Sequence, residues 1–234
     1  MAPAALVTGA ASGIGKATAE RLRADGYDVL GFDLDDGDLT TREANERAVA
    51  TALDRFGRLD VVVANAGVQH VAPVRDFPED RWDQIIAILL TSPFLLAKYA
   101  WDALAGSQGR FIAVASAHAN VASPYKAAYV AAKHGVLGLV KTLALEGGEA
   151  GITATAVCPG YVRTPLVEKQ IPEQAKTHGM GEDEVLERVI LQPHAVKRLI
   201  EPEEVAGVIA FLAGPGGAAF SGVPVTMDLG WSAR

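Results

Sequence analysis

Short apolar runs alternate with helix-length segments from one end of the chain to the other, and that alternation leaves few folds open. Residues 5–8, 29–32, 61–65, 111–116 and 153–158 are short, partly β-branched and apolar almost throughout. Such runs suit strands buried on both faces of a parallel sheet. Between them, residues 14–25, 43–56, 82–105 and 125–146 read as helices. A last helix at 202–213 precedes a final strand at 224–227. The pattern predicts a single α/β domain, a Rossmann-type doubly wound parallel sheet with helices on both faces. One interval is too short. Between residues 33 and 61 there is room for one good helix, and Asp35-Asp36-Gly37-Asp38 reads as a turn. The sheet is therefore expected to lack one edge strand and one crossover helix after the second strand. One end of the ligand cleft would then be unusually open.

The 234 residues suffice for a full core. A net charge of −7 without a Lys/Arg stripe argues against a nucleic-acid partner. Met1-Ala2-Pro3 runs straight into the first strand, and no secretory signal pattern is visible. No apolar run reads as a membrane span, so the expectation is a soluble, cytoplasmic protein without a membrane partner. Cys158, the lone cysteine, reads as a small core residue beside Pro159. His70, His134, His178 and His194 read as structural or solvent-facing, and no metal cluster is expected.

The first strand runs into Thr8-Gly9-Ala10-Ala11-Ser12-Gly13-Ile14-Gly15, which opens the first helix. Glycines there permit a tight turn and let backbone N–H groups at Ser12, Gly13 and Ile14 approach a pyrophosphate at the positive helix end. A dinucleotide is the expected ligand. Asp33 ends the second strand, eighteen residues after Gly15. A carboxylate there accepts from ribose hydroxyls and repels a 2′-phosphate, and no arginine adjoins it in sequence. NAD is therefore favoured over NADP.

Tyr129 and Lys133 are four apart in a helical pattern, on one helix face, with Ser116 thirteen residues upstream at a strand end. Free tyrosine titrates near 10. A neighbouring ammonium and a cationic oxidised nicotinamide are expected to lower it, making Tyr129 an acid/base for an alcohol. Ser116, at the C-terminal end of a parallel strand, is placed to hold the substrate oxygen.

With these motifs the chain resembles the short-chain dehydrogenase/reductase family over nearly its whole length. The resemblance implies further cofactor contacts from Asp38-Leu39 beside the adenine, from Asn65-Ala66-Gly67, and from Pro159-Gly160-Tyr161-Val162-Arg163-Thr164 at the nicotinamide. Asp228 and Gly230-Trp231 resemble the family's ending. The family ordinarily has an asparagine where this chain has Leu89, holding a water that relays protons to the lysine. Leucine cannot hold it, which leaves Thr91 or a backbone carbonyl as the alternative. The resemblance also implies a homotetramer built on the long helices at 82–105 and 125–146, where Gly135 and Gly138 would permit close approach.

Within the family the stretches around residues 65–74, 116–118, 126–135 and 158–171 are most similar to the bacterial D-3-hydroxybutyrate dehydrogenases. That similarity implies a small hydroxy or keto acid gripped at its carboxylate by Gln69, His118, Lys126 and Gln170. The chemistry is reasonable in itself, because so small a ligand offers little apolar area and needs charge-assisted hydrogen bonds. Lys126 and His118 are expected to supply positive charge. Residues 168–196, polar and following the nicotinamide loop, read as a mobile substrate lid, helical at 182–191. Two alternatives stay open. One is a relative acting on a polyol, a cyclic alcohol or a 3-oxoacyl thioester. The other is an NAD(H)-binding regulatory protein without turnover.

Overall fold

The computed structural model describes residues 1–233. Strand β1 (Ala4–Thr8) leads through the glycine turn into helix α1 (Gly13–Ala24), and β2 (Asp28–Phe32) follows. Helix α2 (Arg42–Phe56) then returns directly to β3 (Val61–Ala64). A long helical stretch comprises α3 (Glu79–Ile86), a π-helical turn (Ala87–Thr91) and α4 (Ser92–Ser107). The pairs β4 (Arg110–Val114) with α5 (Ala127–Gly147) and β5 (Thr153–Pro159) with α6 (Pro165–His178) come next. Helix α7 (Glu182–Val185), a second π-helical segment (Leu186–Leu191), α8 (Pro202–Ala213) and β6 (Pro224–Met227) complete the chain.

All six strands are parallel, in the order β2-β1-β3-β4-β5-β6. Period-two alternation divides their side chains between two cores. Leu6, Val62 and Phe111 meet α2, α4 and α5 on one face. Val7, Val63 and Ile112 meet α1 and α8 on the other. The chain runs from β1 outward to β2 and then back across to β3. Their carboxyl ends flank the reversal, where a sheet of this kind opens a ligand crevice.

The sheet is shortened where the sequence predicts it. Among the described residues no strand lies outside β2, and residues 33–41 form a compact turn that feeds α2. Asn45 on α2 holds this turn. Its amide donates to Leu39 O at 2.8 Å and Thr41 O at 2.6 Å, and its buried Oδ1 accepts from Ser92 on α4.

Three expectations need correction. The helix expected from residue 125 begins at Ala127, because Tyr125 is left-handed with φ of 68°. Strand β4 stops at Val114, two residues before Ser116. The stretch Glu79–Ser107 is, contrary to the sequence reading, long and apolar enough to cross a membrane by length and mean hydropathy (1.3). Yet Leu96, Ala97, Ala100 and Leu104 of this stretch are buried in the main core, which accounts for part of its apolar composition. Gly135 is used within the chain, because a Cβ there would lie 2.9 Å from Leu90 Cδ2. Gly138, by contrast, faces open space.

The segment expected as a lid is helical at Glu182–Leu191 as predicted, and carries a small apolar core of its own. Val167, Ala175, Val185, Ile190 and Leu199 pack there with Tyr161.

Candidate active site

A cleft of about 380 Å³ lies over the carboxyl ends of β1, β3 and β4. The glycine turn forms its floor through Gly9, Ser12, Gly13 and Ile14. Gly9 has φ of 67°, and a Cβ there would sit 2.9 Å from Ala66 Cα. Gly15 does not face the cleft. A Cβ on it would collide with the Gly9 carbonyl, so this glycine serves close approach of helix and turn. Ser12 caps α1 without a side-chain hydrogen bond, and no acidic residue occupies the first turn. The helix N-terminus therefore presents free N–H donors and a positive dipole end to the cleft. This floor fits a dinucleotide pyrophosphate.

At one end lie Asp33, Asp38 and Leu39. The Asp33 carboxylate accepts from Ala11 N at 2.7 Å and Leu34 N at 2.8 Å, which fixes its charge over the turn. Arg47, distant in sequence, reaches the same turn but donates to Asp36 O at 2.6 Å. Asn65, Ala66 and Gly67 form a side wall. The Asn65 amide donates to Thr8 O at 2.8 Å and Gly9 O at 3.2 Å, so its N–H groups brace the turn. Pro159, Gly160, Val162 and Thr164 close the far end. Thr164 also caps α6 by accepting from Val167 N.

Ser116, Tyr129 and Lys133 meet at that far end. Ser116 Oγ caps a 3-10 turn at Ala117–Ala119 by accepting from His118 N at 3.1 Å. Tyr129 and Lys133 project from the first turns of α5, and Lys133 Nζ lies 5.5 Å from the Tyr129 ring centroid. Lys133 is buried and Tyr129 is partly buried. Burial pushes the Tyr129 phenol up to about 12, only partly offset by the neighbouring Ser116 hydroxyl. Burial also pulls Lys133 down to about 8. The lysine alone does not make a phenolate, because desolvating both groups outweighs their interaction. A further positive charge beside the phenol is required. Lys133 Nζ donates to Val114 O at 2.7 Å.

The four residues expected at a substrate carboxylate fall into two groups. Gln170 Oε1 accepts from Lys126 Nζ at 3.3 Å, and both residues are buried. Gln69 and Gln170 line an adjoining cavity, and Gln69 Oε1 is buried without a hydrogen-bond partner. His118 stands apart from this pair, beside Ser116, and does not supply the positive charge expected of it. Burial, with the Lys126 charge adding to it, pushes its pKa down to about 3. The imidazole is neutral at pH 7, and both ring nitrogens face hydroxyls. Nδ1 lies 3.3 Å from Ser116 Oγ, and Nε2 lies 3.0 Å from Ser123 Oγ.

Tyr161 belongs to the site although sequence spacing gives no hint of it. Lys126 Nζ donates to its hydroxyl at 2.9 Å and lies 4.8 Å from its ring centroid. No carboxylate pairs with Lys126 among the described residues. Cys158 is buried, and burial pushes its thiol up to about 11, as suits an inert core residue.

The family model described as enoyl-(acyl carrier protein) reductase, of the short-chain dehydrogenases, matches residues 9–232. The chain belongs to the short-chain dehydrogenase/reductase family. It is 43% identical to a D-beta-hydroxybutyrate dehydrogenase of Rhizobium meliloti strain 1021, with all of both chains covered. That alignment spans 258 positions against the 234 residues here, so at least 24 positions are gaps in this family member. That is the scale of a missing strand and helix. The chain is 38% identical to a D-beta-hydroxybutyrate dehydrogenase of Cupriavidus necator, with 98% of each covered. Among solved structures it is similar to the ligand-free aldohexose dehydrogenase of Thermoplasma acidophilum. The TM-score is 0.90 at 27% identity, over 100% of this chain and 95% of that one. Membership of the family makes the protein an oxidoreductase that uses a nicotinamide cofactor.

Proposed function

We propose that this oxidoreductase interconverts D-3-hydroxybutyrate and acetoacetate with NAD as its cofactor. The observation that carries the substrate is Lys126. A buried ammonium without an anionic partner is unfavourable by several kcal/mol, and an anionic ligand offsets that penalty. A short keto acid supplies such a carboxylate, while a polyol or cyclic alcohol does not. The two relatives named as D-beta-hydroxybutyrate dehydrogenases support the same choice.

In this reading the cofactor supplies or accepts the hydride. Ser116 holds the substrate oxygen and Tyr129 exchanges the proton with it. Lys126 binds the carboxylate, with Gln69 and Gln170 as neutral partners. Lys133 adds positive potential beside the phenol.

The deciding experiment is NADH oxidation with acetoacetate, run beside NADPH. Acetoacetate is expected to be reduced, much faster with NADH. Absence of turnover on this keto acid would remove the proposal while leaving the family's chemistry intact. The cofactor preference is placed on Asp33, whose fixed charge would face a 2′-phosphate. Asp33→Ala is expected to shrink the NAD/NADP ratio of kcat/KM by about tenfold or more, equivalent to roughly 1.4 kcal/mol. An unchanged ratio would move the preference elsewhere.

A further inference from the structure

Tyr129 exchanges one proton per turnover, so that proton needs a way to and from solvent. On one side the way is apolar. Ile85, Leu89, Ala128 and Ala132, all buried, pack as a cluster against Tyr129. Lys133 offers no exit through the Val114 carbonyl, to which its Nζ donates. On the other side lies a row of polar groups. Ser116 and Tyr129 line the same end of the cleft, and the Ser116 hydroxyl is near enough to act on the phenol's pKa. Ser116 Oγ and His118 Nδ1 are 3.3 Å apart, and His118 Nε2 and Ser123 Oγ are 3.0 Å apart. Ser116 and His118 are buried, while Ser123 is half-buried and meets solvent. Tyr129 and Trp231 stand in T-shaped contact with the imidazole, with ring centroids 5.8 and 4.8 Å away. Its two nitrogens are thus kept on the two serines.

We propose that Ser116, His118 and Ser123 form the proton path between Tyr129 and solvent. The proposal rests on the oxidoreductase reading but not on the identity of the substrate. In the direction of ketone reduction, His118 begins with its proton on Nδ1, donating to Ser116 Oγ, while Nε2 accepts from Ser123. Hydride adds to the carbonyl carbon, and the C–O π pair moves to oxygen. That oxygen takes the Tyr129 proton. Tyr129 is refilled from Ser116, Ser116 from Nδ1, Nε2 from Ser123, and Ser123 from water. One proton enters from solvent, and His118 ends as the other neutral tautomer; once product leaves, the first tautomer returns as Nδ1 takes a proton through Ser116 from water in the cleft and Nε2 gives one to Ser123. Oxidation runs the same shifts in reverse. The ring never carries a charge, which its burial disfavours. Both tautomers satisfy both hydroxyls, so a neutral imidazole can pass a proton from one nitrogen to the other.

The test compares Ser123→Val with Ser123→Thr. The two introduced side chains have nearly the same shape, and only threonine carries a hydroxyl; the valine methyls also keep a substituting water out. The assay uses whichever ketone the unaltered enzyme reduces fastest, so failure with acetoacetate counts against the substrate alone. With Ser123→Val, kcat is expected to fall about tenfold, the lower part of what general acid–base assistance contributes, with KM little changed. The solvent deuterium isotope effect on kcat is expected to rise, and Ser123→Thr to restore both. A second readout needs no turnover. In 15N-labelled protein, exchange of the His118 ring proton with water should slow in Ser123→Val and recover in Ser123→Thr. Unchanged kcat, isotope effect and exchange in Ser123→Val would overturn the path. So would a loss of rate that threonine fails to restore, since that would make Ser123 a packing residue.

Discussion

Tyr129→Phe is expected to lower kcat/KM for ketone reduction about 10³-fold, within the range that a positioned acid contributes. The substitution removes one oxygen and keeps the ring. That ring packs with Ile85, Leu89, Ala128 and Ala132 and stands edge-on to His118, contacts that phenylalanine retains. Tm and the affinity for NADH should therefore change little, which separates loss of the acid from loss of the fold. The direction of the pH dependence follows from burial. With its pKa pushed up to about 12, the phenol is protonated throughout the neutral range. The acid needed for reduction is then fully in place at pH 7. Oxidation needs the phenolate, so its rate should climb as pH rises through and above neutrality, and reduction should show no matching climb. If Tyr129→Phe keeps more than a tenth of the activity, another group supplies the proton.

The parts of this molecule that the sequence discloses are those written in local spacing. The glycine turn, the four-residue step from Tyr129 to Lys133 and the buried strands each lie within a few residues, where periodicity and turn chemistry act directly. Even the missing edge strand is visible, because length between two strands is a local quantity. The elements misread have non-local or subtle causes. The start of α5 depends on a left-handed Tyr125, whose carbonyl accepts from Ala72 N at 3.0 Å, a contact fixed only by the assembled fold. The long stretch Glu79–Ser107 turns one face to the core, which composition alone cannot tell from a lipid environment. Electrostatics are the least legible. Proximity in sequence suggests that His118 is a cation. That inference fails because the sequence does not report desolvation. The pairing of Tyr161 with Lys126 is illegible for a related reason. The two lie 35 residues apart and only the packed site brings them together.

Lys126→Met is expected to raise KM for acetoacetate roughly 10- to 100-fold while changing KM for a neutral ketone of similar size less than about threefold. A hydrogen bond to a charged group contributes about 1.5–3 kcal/mol, and each 1.4 kcal/mol is tenfold in binding. Methionine matches the length and flexibility of the lysine stem, so the substitution removes charge more than volume. Its effect on stability tests the same idea from the other side. Lysine here is only 4% exposed, and its hydrogen-bonding partners are the neutral Tyr161 hydroxyl and Gln170 amide. Removing it leaves the Gln170 oxygen unpaired, at a cost of about 1–3 kcal/mol. It also relieves a buried charge that has no carboxylate partner. The two effects oppose each other, so Tm should change little. Acetoacetate added with NAD should then raise the Tm of the natural protein but not that of the variant, because only the lysine form gains a counter-ion on binding. Equal damage to keto acid and neutral ketone would show that Lys126 shapes the pocket without reading the carboxylate.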